Sequence, residues 1–242
     1  MRKDGLILLT GGSGLLGRHL RALDPTIVAP PRAELDVSNL AQISICIAKY
    51  HPAIILHAAA MTRVGDVRSR RTEAIEANIV GTCRIAQAAL EHDLRLVHLS
   101  SDYVYADTAG PHREDEPLLP ANEYAWTKLG AEAAVRLVPD SLIIRTSFGP
   151  RPCEYDIALE DKITSRMYVD EIAPRMLKVA RSSLTGIINL GGPAISMLDY
   201  ARRTKDNVRS ARLAELNEPI PRDTSLDLSR WNRFQDESME KA

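Results

Sequence analysis

Short apolar runs alternate along the chain with segments in which apolar residues recur at helical spacing. Near-continuous apolar runs are typical of parallel strands covered on both faces, and here they occupy residues 6–10, 26–29, 53–59, 95–100 and 141–146. The segments between them predict helices over residues 15–23, 38–49, 72–92 and 121–138, with Ser38 as the N-cap of the second. Repeated βα units of this kind predict an α/β fold with a doubly wound parallel sheet.

A glycine-rich turn follows the first predicted strand. Residues 10–17 read TGGSGLLG and open a helical pattern. A strand, a glycine turn and a helix in this order present free backbone N–H groups and a helix N-terminus to a pyrophosphate. Glycines also serve ordinary tight turns, but the position after the first strand favours a dinucleotide site. The residues predicted to bind the cofactor there are Gly11, Gly14, Leu15, Leu16 and Gly17.

The end of the second predicted strand bears on the identity of the cofactor. An NAD-selective site places an acidic residue near this point to accept from the ribose hydroxyls. Here Arg32 comes first, and Glu34 and Asp36 follow it. Because a guanidinium can pair with a 2′-phosphate, NADP is favoured over NAD. The alternative is that Arg32 is an ordinary surface residue.

Three polar side chains suggest proton transfer. Tyr124 and Lys128 are four residues apart, so they share one face of a predicted helix. An ammonium beside a phenol favours the phenolate, so Lys128 is expected to lower the pKa of Tyr124. Ser100 and Ser101 end the fourth strand, at the sheet edge where ligands bind in open α/β folds. Such a hydroxyl can stabilise charge on a substrate oxygen, although serines are also common turn residues. Together these groups suggest hydride chemistry on a carbonyl or alcohol.

Other residues near the strand ends have two interpretations. The small residues at 58–60 would let a cofactor approach closely, but tight strand–helix packing would need them equally. Asn78 lies within a predicted helix, where it is either functional or solvent-facing. His57 and His98 lie inside apolar strands and are interpreted as core histidines, because no second ligand stands at metal-binding spacing. No metal site is predicted.

Composition narrows the class of partner. The formal net charge of −1 gives no reason to expect nucleic acid or an acidic membrane surface as a partner. The three cysteines form no CxxC pair and are interpreted as reduced thiols of a cytosolic protein. No stretch approaches the roughly 18 apolar residues that a membrane helix needs. A cytoplasmic location is therefore predicted.

The composition of the chain changes after the fifth predicted strand. Residues 149–161 are rich in proline, arginine and acids, and a further strand at 186–190 and a helix at 197–203 follow. We therefore predict a dinucleotide-binding domain over residues 1–148. Residues 149–242 are predicted to form a small substrate-binding lobe interleaved with the last strand and helix of the sheet. The tail after Asp236 is expected to fray.

The motifs as a group resemble the extended short-chain dehydrogenase/reductase family, and within it the dTDP-4-dehydrorhamnose reductase branch. The stretches that carry the resemblance are residues 33–37, 55–60, 97–105, 124–132, 144–147 and 221–227. The resemblance implies a Rossmann-like fold, a nicotinamide cofactor and a catalytic set of Ser101, Tyr124 and Lys128. It also implies that Asp36 contacts adenine and that Asn78 lies near the active site. The further cofactor-binding residues are Arg32, Val37, Ala58, Ala59, Ala60, Ser100, Tyr124 and Lys128.

Two departures from this branch concern the substrate. The region between Pro150 and Tyr168 is compressed, and in the branch it helps to build the sugar-nucleotide lobe. A glycine typical of the branch is replaced by Asp107, with Gly110 displaced.

Asp102 is followed by Tyr103 where nucleotide-sugar dehydratases carry a glutamate, and the cysteine of relatives that epimerise before reduction is absent.

The predicted function is NAD(P)H-dependent reduction of a keto group on a nucleotide-activated sugar. In this hypothesis Tyr124 donates the proton, Ser101 hydrogen-bonds the carbonyl oxygen, and Lys128 holds the ribose hydroxyls. One alternative is a 4-epimerase that keeps its NAD tightly bound, and another is a non-catalytic NAD(P)-binding regulatory subunit. A homodimer formed through the helices at 72–92 and 121–138 is also predicted.

Overall fold

The computed structural model describes residues 5–216 and 219–239. Its strands are β1 (Ile7–Thr10), β2 (Ile27–Val28), β3 (Ile54–His57), β4 (Arg95–Leu99), β5 (Ser141–Thr146), β6 (Phe148–Gly149), β7 (Ile157–Leu159), β8 (Ile163–Thr164), β9 (Met167–Tyr168), β10 (Gly186–Leu190), β11 (Ile195–Ser196), β12 (Arg209–Ala211) and β13 (Asp223–Thr224). Its α-helices are α1 (Leu15–Leu23), α2 (Leu40–Tyr50), α3 (Val64–Ser69), α4 (Arg71–Ala74), α5 (Gly81–Glu91), α6 (Glu123–Val135), α7 (Val169–Ala180), α8 (Met197–Arg202) and α9 (Ser229–Met239). A π-helix covers Ile75–Val80, and 3₁₀-helices cover Asp102–Val104 and Leu213–Glu215.

Six strands form one parallel sheet in the order β10-β5-β4-β3-β1-β2. The chain leaves β1 towards β2 and then returns to the other side of β1 as β3. This reversal opens a crevice at the carboxyl ends of β1 and β3, which is where open α/β sheets bind ligands. The predicted doubly wound parallel sheet is confirmed.

The main sheet is covered on both faces because its strands alternate between two cores. Ile7 and Leu9 of β1 belong to a core that also contains residues of α1 and α7. Leu8, between them, belongs to the opposite core, with Ile43 of α2 and Ile85 of α5. This alternation explains why the strands are continuously apolar in sequence.

A smaller cluster packs beside the sheet. Tyr168 and Tyr200 stack with ring centroids 4.6 Å apart, and Cys153, Ala158 and Leu198 pack in the same cluster. The short strands β7 and β12 pair in parallel over it, while β8 pairs with β11 and β13.

In the part of the chain that the structure describes, no helix has the length and apolar character needed to cross a bilayer.

Several predicted elements needed correction. Asn39, rather than Ser38, caps α2, because its side chain accepts from the backbone N–H of Gln42. The single helix predicted over 72–92 is divided into α4, the π-helix and α5. The prediction of a frayed tail after Asp236 is wrong as far as Met239, where α9 ends, and the rest of that tail lies outside the described residues. Helix α7 was missed, although its buried apolar positions recur at helical spacing and only Pro174 obscures the pattern.

Candidate active site

The glycine turn after β1 is shaped by close backbone approach. Gly11 has φ of +75°, and a Cβ there would lie 2.8 Å from the amide nitrogen of Ala59. A Cβ on Gly17 would lie 2.4 Å from the carbonyl oxygen of Gly11. Gly14, at the N-cap of α1, has no side chain that could cap the helix, so the first N–H groups of that helix remain open to a ligand. This is a backbone cradle of the kind that takes a pyrophosphate.

A cleft of about 1090 Å³ begins at this turn and runs along the carboxyl edge of the sheet. Of the residues predicted to act in cofactor binding or catalysis, those that line it are Gly11, Gly14, Leu15, Leu16, Gly17, Arg32, Asp36, Val37, Ala58, Ala59, Ala60, Ser100, Ser101 and Tyr124. Asn78 and Lys128 are not part of the lining. We call residues 11–17 with 58–60 the glycine end of the cleft, and residues 147–150, 154 and 155 with Arg166 the arginine end.

Arg32 and Asp36 lie together on the rim of the glycine end. Arg32 Nε is 3.2 Å from Asp36 Oδ2, and the Arg32 side chain is 84% exposed. Asp36 also accepts from the backbone N–H and the hydroxyl of Ser38. Because the guanidinium is exposed, it can turn from Asp36 to a phosphate without a packing cost.

Ser101 is fixed at the end of β4 by its neighbours. Its hydroxyl oxygen accepts from the backbone N–H of Tyr103 at 3.2 Å, and the hydroxyl donates to Asp102 Oδ1 at 3.2 Å. The side chain is buried. The same hydroxyl can donate to the phenol of Tyr124 in place of Asp102, and this contact lowers the pKa of the phenol. The hydroxyl and the phenol therefore form one unit inside the cleft.

Tyr124 lies in the first turn of α6, because Asn122 caps that helix by accepting from the backbone N–H of Ala125. The ring of Tyr103 meets it edge-on, with centroids 6.4 Å apart. Burial raises the pKa of Tyr124 to about 12, and the Asp102 carboxylate acts in the same direction. The hydrogen bond from Ser101 and the charge of Arg166 oppose that increase in pKa only in part.

The expectation that Lys128 lowers the pKa of Tyr124 is therefore wrong. Lys128 shares a helix face with Tyr124, but its Nζ lies 3.4 Å from His98 Nε2, and the cation that acts on the phenol is Arg166. Burial lowers the pKa of Lys128 itself to about 8, partly offset by the nearby charge of Glu132. Spacing on a helix brought the two residues to one face, whereas burial determined the phenol's pKa.

Asn78 is buried and has a structural connection to the site. Its Oδ1 accepts from the backbone N–H of Met61 at 2.7 Å, and its Nδ2 donates to the Met61 carbonyl and to Thr127 Oγ1, both at 2.9 Å. Asn78 thus joins the loop after β3 to α6. The solvent-facing interpretation is excluded, since only 1% of the residue is exposed.

The two strand histidines are core residues. His57 Nδ1 lies 2.7 Å from Thr10 Oγ1 and its Nε2 lies 2.9 Å from Thr82 Oγ1. The same Thr10 hydroxyl accepts from the backbone N–H groups of Ala58 and Ala59, so His57 helps to hold the glycine end in shape. Among the described residues, no group of three histidine, cysteine or acidic side chains is arranged to hold a metal ion.

A buried ion pair lies behind the catalytic edge. Glu132 Oε2 and Arg145 Nη2 are 2.8 Å apart, and both side chains are fully buried. Ser100, predicted to contact the cofactor, lines the cleft but donates its hydroxyl to Glu132. This pair ties α6, which carries Tyr124, to the end of β5.

Sequence reasoning missed a buried network next to Ser101. Asp102 Oδ2 accepts from Thr224 Oγ1 at 2.8 Å, and Lys162 Nζ donates to the same Thr224 hydroxyl at 2.7 Å. Burial lowers the pKa of Lys162 to about 8, while burial raises that of Asp102. These residues come from three distant segments, so no local pattern could have indicated them.

The compressed region still contributes to the cleft. Pro150, Glu154, Tyr155 and Arg166 line its arginine end. Asp107, the other departure from the family pattern, accepts from the backbone N–H of Arg222 and is exposed. Neither the compressed region nor Asp107 predicted that Arg166 would line the cleft.

A doubly wound sheet with a glycine turn at its reversal point, and a Tyr-x3-Lys pair beside the strand-end serine, defines the extended short-chain dehydrogenase/reductase class. The chain belongs to the RmlD substrate binding domain family, whose model matches residues 5–151. It is 31% identical over 266 residues to a dTDP-4-dehydrorhamnose reductase from Streptomyces griseus, an alignment that covers 93% of this chain and 86% of that protein.

Solved structures agree with this assignment. A hypothetical dTDP-4-dehydrorhamnose reductase from Sulfolobus tokodaii superposes with a TM-score of 0.83 at 28% identity, covering 94% of each chain. A dTDP-4-dehydrorhamnose reductase from Bacillus anthracis, solved in complex with NADP, gives a TM-score of 0.86 at 23% identity and covers 95% of this chain and 92% of its own. The resemblance inferred from the sequence motifs is confirmed.

Proposed function

We propose that this chain is an NAD(P)H-dependent reductase that converts the keto group of a dTDP-linked sugar into an alcohol. The observation that carries the proposal is the cleft itself. It begins at an open backbone cradle for a pyrophosphate and continues to the half-buried phenol of Tyr124, which lies beside the strand-end Ser101. Relatives named dTDP-4-dehydrorhamnose reductase and dTDP-4-keto-6-deoxy-D-glucose reductase support the same substrate class.

The residues at the glycine end fit a nicotinamide dinucleotide. Side chains on Gly11 or Gly17 would fill the cradle, and the first turn of α1 is uncapped. Arg32 is exposed beside Asp36 and can reach a 2′-phosphate, which favours NADP over NAD. When bound, the cofactor supplies the hydride.

The hydroxyls of Tyr124 and Ser101 supply and guide the proton. A phenol with a pKa of about 12 keeps its proton near neutral pH, which is the form that a reduction needs. In this proposal Tyr124 donates that proton to the carbonyl oxygen, and Ser101 donates a hydrogen bond to the same oxygen. Lys128 binds the ribose hydroxyls of the cofactor. Residues 149–242 contribute the substrate side of the cleft.

We also propose that two copies pair through α5 and α6 and that the protein works in the cytoplasm. Large apolar side chains on and near these helices are exposed, including Trp126 at 52% and Leu90 at 48%. All three cysteines are free thiols, as a reducing compartment requires. Sedimentation of the wild type and of Trp126→Glu tests the pairing, because a monomeric wild type would contradict it.

The experiment that tests the reductase is a panel of nucleotide-activated 4-keto sugars. NADPH or NADH oxidation is followed by absorbance with each sugar, and the product is identified by NMR. We expect a dTDP-linked 4-keto sugar to be reduced with consumption of NADPH. Conversion of the sugar with cofactor that stays bound and is never consumed would indicate a 4-epimerase. Tight cofactor binding with no turnover of any sugar would indicate a regulatory subunit.

A further inference from the structure

An arginine enters the cleft without an acidic partner. Arg166 lines the arginine end, and its Nε is buried and has no hydrogen-bond partner among the described residues. Among the described residues, no carboxylate lies within ion-pair distance of the Arg166 guanidinium. A half-buried charge without an ion-pair partner is unfavourable, so the cleft wall at Arg166 suits a ligand of opposite charge.

The groups that hold Arg166 are neutral. Its Nη1 donates to Ser147 Oγ at 3.0 Å, and its Nη2 donates to the hydroxyl of Tyr155 at 3.4 Å. The rings of Tyr155 and Tyr200 lie 5.9 Å and 5.6 Å from the guanidinium carbon. These contacts orient the guanidinium but leave its charge uncompensated and part of its five N–H donors unused.

The backbone makes room for this side chain. A Cβ on Gly149 would lie 2.7 Å from Arg166 Nη2 and 3.0 Å from the Tyr200 hydroxyl. The arginine's own backbone N–H donates to Thr164 Oγ1 at 3.2 Å, which fixes the start of the side chain. The site is therefore built by packing around the guanidinium and does not depend on a chance surface position.

Other charged groups face the same region. Asp102 is close enough to feel the charge of Arg166, but its carboxylate is engaged by Ser101 and Thr224. Lys162 adds a second positive charge behind it. Glu154 lines the same cleft and is exposed. Because the two cations outnumber the one buried carboxylate at this wall, its charge favours an anion.

We infer that Arg166 binds the diphosphate of the substrate, at the end of the cleft opposite to the cofactor's phosphates. A planar guanidinium matches phosphate oxygens with paired hydrogen bonds. The phosphates of a dinucleotide are already accounted for by the glycine cradle and Arg32, which lie at the other end of the cleft. The inference rests on the proposed function in assigning the diphosphate to a nucleotide sugar.

Binding without turnover tests this inference separately from the reductase activity. The full chain is saturated with NADP⁺, which occupies the glycine end, and is titrated with dTDP, thymidine and inorganic pyrophosphate by calorimetry. We expect Arg166→Gln to weaken dTDP and pyrophosphate binding by roughly tenfold or more, the scale of one charge-assisted pair. Thymidine binding should not change. The dTDP affinity of Arg166→Lys should lie between those of the wild type and Arg166→Gln, because lysine keeps the charge without the paired donors.

Two controls make the result decisive. Arg151→Gln removes an exposed arginine of the same lobe that is paired with Asp170 and lies outside the cleft lining, and it should bind dTDP like the wild type. NADP⁺ affinity should be equal in all variants. Equal dTDP affinity in Arg166→Gln and wild type would overturn the inference. A variant that loses affinity for NADP⁺ but not for dTDP would overturn it as well. If no sugar nucleotide is reduced but pyrophosphate binding still depends on Arg166, the reductase proposal fails while the anion site stands.

Discussion

The glycine end of the cleft is made of main chain, whereas the arginine end is made of side chains. At the glycine end, Gly11 and Gly17 leave no space for a Cβ, and the open N–H groups of α1 face the cleft. At the arginine end, Arg166 is held by hydroxyl groups, and the buried Lys162 lies behind the wall. Backbone recognises a feature that all dinucleotides share. Side chains recognise what distinguishes one substrate from another.

The difference explains why the two ends can change independently. A backbone cradle depends on the path of five or six consecutive residues, so it is retained wherever the turn is retained. A wall of side chains can be rebuilt by single substitutions within the same fold. The residues of the compressed segment that line the cleft, which are Pro150, Glu154, Tyr155 and Arg166, belong to the second kind of surface.

The largest expected effect comes from Tyr124→Phe, at the junction of the two ends. We expect kcat to fall by roughly 10²–10⁴, the usual contribution of a general acid, with NADP⁺ affinity unchanged because the glycine end is intact. Steady-state rates with the best sugar nucleotide and a cofactor titration measure the two quantities. Tyr103→Phe is the matched control, since its ring contacts that of Tyr124. Turnover at the wild-type rate in Tyr124→Phe would remove the proton-donor role.

Glu132→Gln tests whether the structure of both ends depends on the buried Glu132–Arg145 ion pair. It leaves the fully buried Arg145 guanidinium without its counterion, and breaking a buried pair costs about 3–5 kcal/mol. We expect the urea midpoint to fall and both ligand sites to be lost in one transition. Glu73→Gln, whose carboxylate pairs with Arg70 at the surface, should leave the midpoint unchanged. Two separate transitions in Glu132→Gln would show that the ends are supported independently.

The fold and the glycine end were predictable because their signals are local. Strands β1, β3, β4 and β5 are continuous apolar runs, and the turn at residues 11–17 is one uninterrupted motif. Helix α2 was predicted with the wrong cap because Ser38 and Asn39 are both good capping residues and only geometry separates them.

The arginine end was not predictable for the opposite reason. The network next to Ser101 joins Asp102, Lys162 and Thr224, which are 60 or more residues apart along the chain. Arg166 lies in a segment without apolar periodicity, where an arginine is ordinarily a surface residue. The pKa of Tyr124 was predicted in the wrong direction because helix spacing shows which residues share a face but not how deeply they are buried.

Lys128→Met is expected to lose activity and gain stability. Burial lowers the pKa of Lys128 to about 8 from its ordinary value near 10.5, so the folded state disfavours the ammonium. Below pH 8 both states are protonated and the full penalty is present. As pH rises from 8 to 10.5 the folded protein releases its proton first, so the penalty fades. The variant should therefore unfold at higher urea than the wild type at pH 7, and the difference should shrink by pH 10. A variant that is less stable at pH 7 would show that the ammonium contributes more to the fold than its burial costs.

The smallest expected effect is at Arg32, and it concerns the glycine end alone. Its side chain is 84% exposed and paired only with Asp36, so Arg32→Gln should not change stability. We expect NADP⁺ to bind roughly tenfold more weakly, because one charge-assisted contact to the 2′-phosphate is lost, while NAD⁺ affinity remains the same. Arg84→Gln, which removes an arginine outside the cleft, is the control. Fluorescence titration with both cofactors measures the ratio. Equal weakening of NADP⁺ and NAD⁺ would mean that Arg32 acts on the pyrophosphate that the two cofactors share, and the glycine end would then depend on a side chain as the arginine end does.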